Sequence, residues 1–262
     1  MGDLRRWALT LGVLSLAATA LLTAPVAAAD TYSFTCNLES LTADFADRDA
    51  LPQNDPPTVL SAKSDSNGGW GPAAAALPPV AAPADAGCDA TTWKRERIVA
   101  TALRYLNEPG NPHALQYRHH HIPAWDPPAS TRPPSATTDE GGDDNSASAW
   151  AAGRGLDCSN FTAWVYNYGL GIKFSGNVKK QYAGTAGPMG QPIGADGPFQ
   201  TGDLMFLHSK DDTERASHVV IVVDDDYVID SRFNAEGVDG VQVRPRQGRY
   251  LTAVLGGRRP IA

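Results

Sequence analysis

The chain has 262 residues, a formal net charge of −7 and 42% hydrophobic residues. That length suits one ordinary domain with extensions and is enough to bury a core. Acidic side chains outnumber basic ones, 29 to 22, and no basic stripe is present to neutralise phosphates, which excludes nucleic acid as a partner class.

Residues 1–29 have the pattern of an export signal. Arg5 and Arg6 precede an apolar run from Trp7 to Leu22, and Ala27, Ala28 and Ala29 offer small residues for cleavage before Asp30. The run is short for a transmembrane span of roughly 20 residues, and no later segment is apolar enough to cross a membrane. The mature protein is therefore expected outside the cytoplasm, secreted, periplasmic or in the cell wall, as a monomer without stable membrane insertion.

Residues 30–91 read as an N-terminal arm. Pro56-Pro57, Asn67-Gly68-Gly69 and the Ala/Pro run from Gly71 to Pro83 are turn and extended-linker compositions. A short helix is placed at Leu41–Asp47. Thr91 or Thr92 is positioned to cap a longer helix, in which Ile98, Ala102 and Tyr105 follow an amphipathic spacing and which ends before Pro109-Gly110.

The segment His113–Trp125 is irregular and aromatic, and residues 126–156 form a long polar insert. Loops of that length inside a compact domain are usually functional or disordered. The insert's acidic residues do not match an EF-hand loop. His119, His120 and His121 are adjacent on irregular sequence and cannot all face one ion. No metal or other cofactor is expected.

Cys158 lies where a turn runs into a helix, in Gly155-Leu156-Asp157-Cys158-Ser159-Asn160-Phe161. At such a position the unpaired N–H groups and the helix dipole favour an anion, which predicts a lowered thiol pKa. Most free cysteines are instead small buried hydrophobes. The chain carries three cysteines, and in an oxidising compartment two of three are expected to pair. If Cys158 is a nucleophile it must stay free, which leaves Cys36 and Cys88.

Downstream, Gly176–Ala183 predicts a short second helix. Gly202–His208, His218–Val223, Tyr227–Ser231, Gly240–Arg244 and Tyr250–Leu255 then read as successive strands. Helices first and strands afterwards indicate an α+β domain with an antiparallel sheet. The runs Leu204–Leu207 and Val219–Val223 are apolar at every position, so these strands should be central and curled or covered.

A cysteine nucleophile needs a base, and the base an orienter. Of the six histidines, only His218 enters a strand whose following residues are buried, while His208 is expected to end a strand and face solvent. Pairing Val223 with Tyr227 across the turn Asp224-Asp225-Asp226 sets Val220 opposite Asp230. His218 and Asp230 then become diagonal neighbours about 7–8 Å apart at Cα, and the carboxylate can hold the imidazole in one tautomer.

Leu156-Asp157-Cys158-Ser159, Gly202-Asp203-Leu204-Met205-Phe206-Leu207 and Ser217-His218-Val219-Val220 together resemble the NlpC-type, papain-like cell-wall cysteine peptidases. The resemblance covers roughly residues 92–256. It implies a papain-like fold with N-terminal helices packed on a curled antiparallel sheet, and metal-free hydrolysis of amide bonds in peptidoglycan stem peptides, commonly between D-γ-glutamate and the diamino acid. By position, Cys158 becomes the nucleophile, His218 the base and then acid, and Asp230 the third residue. Tyr117, Asp157 and Ser159 correspond to substrate-contacting positions, although a helix-cap hydrogen bond explains Ser159 equally well. Asn160 stands where the family has glycine, and the family's Pro-Tyr is missing after Tyr105-Leu106-Asn107-Glu108-Pro109. Two other readings stay open: a thiol acyltransferase or amidase acting on another acyl substrate, and a non-catalytic wall-binding module.

Overall fold

The structure, a computed structural model, describes residues 32–49, 51, 76–117, 156–233 and 239–262. The export signal, the histidines at 119–121 and most of the polar insert lie outside the described residues. Among the described residues no helix is long and apolar enough to cross a membrane.

Two helices form the centre of one layer. Helix α3 (Ala90–Leu103) starts at Asp89, not at Thr91 or Thr92: the Asp89 carboxylate accepts from the N–H groups of Thr91 and Thr92 at 2.9 and 3.0 Å. An ionised cap also suits the positive helix end, which favours aspartate over threonine there. Helix α4 (Cys158–Leu170) is capped by Asp157 and ends at Gly171, whose φ of 70° is left-handed. A Cβ at Gly171 would also sit 2.6 Å from the Leu77 carbonyl, so the stop is fixed by shape as well as by φ. The two helices pack closely at Gly169, where a Cβ would come within 2.9 Å of Thr101 Oγ1.

The N-terminal segment docks on this pair. It holds two short helices, α1 (Leu38–Thr42) and α2 (Phe45–Asp49), where one was predicted. Leu41, Phe45 and Leu77 are buried in the same core as Trp93, Ile98 and Phe161. Glu96 of α3 accepts from the backbone N–H groups of Thr35 and Cys36, both at 2.8 Å. Arg97, 1% exposed, donates to the carbonyls of Gly169 and Leu41 and to Asp44 Oδ1 at 2.5, 3.0 and 2.6 Å. Replacing Arg97 by alanine strands two buried carbonyls, each costing about 1–3 kcal/mol. Thermal unfolding should therefore begin roughly 5–15 °C lower, and an unchanged melting curve would show that the segment is not held through this residue.

Cys36 and Cys88 form a disulfide with a Cα separation of 5.1 Å, and Cys158 is free and buried. Peptide mapping without reduction should return the Cys36–Cys88 pair. Cys158 should be alkylated only slowly until the protein is unfolded. A peptide linking Cys158 to either partner contradicts this arrangement.

A short helix α5 (Val178–Ala183) follows α4, and the rest is an open antiparallel sheet of six strands. These are β1 (Gln191–Ile193), β2 (Leu204–His208), β3 (Ala216–Val222), β4 (Tyr227–Arg232), β5 (Gly240–Pro245) and β6 (Val254–Arg259), in the order β1-β6-β2-β3-β4-β5. Strands β2 and β3 are central, and the alternation splits their side chains between two apolar layers. Leu204, Phe206, Val219 and Ile221 face the α3–α4 core, while Met205, Leu207, Val220 and Val222 pack with Phe199, Tyr250 and Ala253. The domain is α+β with helices on the sheet, and its central strands are covered on both faces as their composition requires.

Two expectations about the sheet fail. Tyr250–Leu255 is not a continuous strand: a helical turn, α6 (Arg249–Thr252), follows Gly248, and the strand runs from Val254 to Arg259. The φ of 55° at Gly248 turns the backbone out of the extended region. Strand β1 was not predicted, because three residues containing a proline give no alternating pattern.

Candidate active site

The start of α4 is pinned from two sides. Leu156 N–H donates to the Gln116 carbonyl at 3.2 Å, and Ser231 Oγ of β4 donates to the Leu156 carbonyl at 2.6 Å. Asp157 then caps the helix, accepting from Asn160 N at 2.8 Å, so the first helical residue, Cys158, is fixed against the sheet. The backbone N–H groups of Val219 and Ser159 act on its sulfur in the direction that favours the thiolate. Val219 directly follows His218, and Cys158 and His218 line one cavity.

The β3–β4 register is the one the turn predicts, with Ile221 opposite Ile229 and Val222 opposite Val228. Continued two residues, it sets His218 diagonal to Asp230. His218 Nε2 lies 2.6 Å from Asp230 Oδ2. An ionised Asp230 accepts from Nε2–H, which leaves Nδ1 as the basic nitrogen.

Asp230 is fully buried and serves as more than the partner of His218. Arg244 Nε donates to Oδ1 at 2.6 Å and Tyr250 Oη donates to Oδ2 at 2.8 Å. Burial pushes the carboxyl pKa up, but the His218 hydrogen bond and charge, with Arg244, outweigh it and hold the carboxyl below its ordinary value. Asp230 is thus an anion with three donors. Arg244 and Tyr250 were not predicted at the site.

The Cys158 thiol differs from expectation. Burial pushes its pKa well up, and the neighbouring Asp157 and Asp230 carboxylates add to the rise against the two N–H groups that lower it. The capping carboxylate that starts the helix is itself a negative charge next to the sulfur, so the helix dipole does not win here. The resting thiol is protonated.

A cavity of about 600 Å³ opens over the sulfur, lined among others by Cys158, His218, Tyr117, Arg232, Phe233 and Arg249. Tyr117 reaches this wall, with its ring 6.4 Å from that of Phe233. Asp157 and Ser159 do not line the cavity: both are buried, and Ser159 Oγ donates to Asp157 Oδ1 at 3.1 Å. His208 was expected to face solvent but is half-buried in the cavity wall, with Nδ1 2.6 Å from the Ser209 carbonyl. Among the described residues no group of three or more metal-binding side chains is gathered.

The fold and the three side chains define an α+β domain with a cysteine, a histidine and an aspartate at one cleft. Residues 141–259 match the family model described as NlpC/P60 family. Among solved structures, an NlpC/P60 family protein from Bacillus cereus is 27% identical, with 41% of this chain and 32% of that one covered and a TM-score of 0.35. The peptidoglycan hydrolase RipB from Mycobacterium tuberculosis is 18% identical, covering 66% and 67%, with a TM-score of 0.41. A lipoprotein-like NLP/P60 family protein from Staphylococcus aureus is 17% identical, covering 86% and 62%, with a TM-score of 0.40. The chain thus spans about a third of the length of the first and about two thirds of the other two. No curated protein matches the chain.

Proposed function

We propose that this protein is an exported cysteine peptidase that hydrolyses amide bonds in peptidoglycan stem peptides, between D-γ-glutamate and the diamino acid. The observation that carries this reading is the 2.6 Å contact of His218 with buried Asp230, beside a free thiol at a helix start and under one cavity. The match of residues 141–259 to the NlpC/P60 family model supports a wall peptide as the substrate.

Chemistry follows from the proton positions. His218 Nδ1 takes the thiol proton as Cys158 Sγ attacks the amide carbonyl carbon, and Asp230 stabilises the imidazolium that forms. Backbone N–H groups at the start of α4, that of Cys158 among them, stabilise the oxyanion. His218 then protonates the leaving amine, and a water activated by the same imidazole hydrolyses the thioester and restores the thiol. Tyr117 contributes a wall for the peptide, while Asp157 and Ser159 act chiefly by fixing the helix start.

The test is digestion of purified muropeptides by the mature protein and by Cys158→Ala, with products identified by mass spectrometry. New fragments ending in D-glutamate, formed by the wild type alone, are expected. Their absence, or their formation by both proteins, overturns the reading.

A further inference from the structure

Two guanidinium groups in the Cys158 cleft have no acidic partner among the described residues. Arg232 ends β4, two positions past Asp230, and its Nη1 lies 3.5 Å from Tyr250 Oη. Arg249 opens α6, with Nη2 3.4 Å from the His208 carbonyl and a buried Nε that makes no hydrogen bond. Both contacts are at the long limit of a hydrogen bond. Both residues are half-buried and line the same cavity as Cys158 and His218.

Other arginines of the fold show what a carboxylate partner looks like here, although half-buried Arg258 is held by the Tyr182 carbonyl instead. Arg244 meets Asp230 at 2.6 Å, Arg259 meets Asp203 at 2.7 Å and Arg97 meets Asp44 at 2.6 Å. In a chain with seven more acidic than basic side chains, carboxylates are not scarce. Burial lowers the Arg249 pKa, and repulsion from Arg232 lowers it further, so the two guanidinium groups disfavour each other. An anion placed between them removes both penalties, and a carboxylate matches the planar fork of guanidinium donors.

We propose that Arg232 and Arg249 form a carboxylate-binding subsite beside the nucleophile, which selects acyl donors carrying a free carboxylate close to the scissile amide. A γ-linked glutamyl residue has such a group, because its α-carboxylate is left free by the linkage. An amidated residue of the same shape does not. The subsite rests on the proposed hydrolysis, and it makes amidation of the acidic residue a block to cleavage. The cavity lining carries Lys210, Arg232 and Arg249 against the single carboxylate of Asp211.

The experiment uses two γ-D-glutamyl–diamino acid peptides, one with the free α-carboxylate and one with the carboxamide. Calorimetric titration of full-length Cys158→Ala should show at least about tenfold tighter binding of the carboxylate peptide, of the order of one desolvated charged hydrogen-bonded pair. Adding Arg232→Gln or Arg249→Gln should reduce that preference to about threefold or less, with circular dichroism unchanged; Arg232→Lys should retain part of it. In the hydrolytic enzyme the same substitutions should raise KM for the carboxylate peptide more than they lower kcat. Equal binding of both peptides by Cys158→Ala, or a preference that survives both glutamine variants, overturns the subsite. If the arginines serve the thiol instead, Arg249→Gln will move the pH profile of Cys158 alkylation and leave the peptide preference intact, which also overturns it. A wild type that cleaves neither peptide, while Cys158→Ala still prefers the carboxylate, refutes the hydrolase reading and leaves the anion subsite standing.

Discussion

Cys158→Ala should abolish hydrolysis, and His218→Ala should lower it by about 10³-fold or more. The thiol is buried and protonated at rest, so the sulfur cannot attack unless a base removes its proton. His218 is the histidine whose Nε2 is engaged by a buried carboxylate, which leaves Nδ1 to do so. Removing either member therefore removes the covalent step, and the two single variants should be nearly as poor as the double variant. Neither change should unfold the protein, since each side chain lies at a cavity and alanine leaves no buried charge without a partner except Asp230, which keeps Arg244 and Tyr250. Hydrolysis is read as amine release from a stem peptide, and folding as the thermal midpoint. Near-normal turnover by Cys158→Ala would rule out the thioester mechanism.

The strands that carry His218 and Asp230 were readable because their connection is short. Asp224-Asp225-Asp226 allows few pairings of the flanking runs, and the apolar alternation selects one, so the contact between His218 and Asp230 followed by counting. The same count across β4 and β5 sets Arg244 diagonal to Asp230, since Val228 pairs with Arg244 and Asp230 with Gln242. It was not accessible beforehand because the connection between those strands is too long to fix a register. Tyr250 was hidden for another reason. Its neighbours are apolar enough to pass for a strand, and only the left-handed Gly248 reveals the helical turn that swings the phenol onto Asp230.

Charge was legible only as a sum. A net charge of −7 suggests an acidic surface throughout, yet the cleft gathers Arg232 from β4 and Arg249 from α6. The sign of the thiol shift was misjudged for a related reason. A helix start can be read from Asp157-Cys158-Ser159, but the extent of burial that overrides the dipole depends on how β3 and β4 close over the sulfur. Local pattern fixes which residues meet along neighbouring strands, whereas the dielectric around them is a property of the packed domain.

Asp230→Ala should cost both rate and stability, and the loss of stability should exceed what an orienting residue alone predicts. Three donors converge on this carboxylate, and it is fully buried. Alanine leaves the Arg244 guanidinium without its counter-ion, a change that costs about 3–5 kcal/mol for buried pairs, or roughly 6–20 °C in thermal midpoint. Asp230→Asn keeps the shape but offers one amide oxygen where three donors point. An amide N–H turned toward His218 would also force the proton onto Nδ1, the nitrogen that must be free to accept from Cys158. Its rate should fall by about 10²-fold or more, while remaining above that of Cys158→Ala. The pH dependence has a definite sign. Because the folded carboxyl lies below its ordinary value, its contribution to stability is fully present above the unfolded pKa, about 4. That contribution is lost as pH falls through the folded value. The wild type should therefore lose stability on acidification more steeply than Asp230→Asn, in which this group no longer titrates. Urea unfolding of both proteins from about pH 7 downward measures the difference. Parallel curves, together with a rate for Asp230→Asn within twofold of the wild type, would remove Asp230 from both roles.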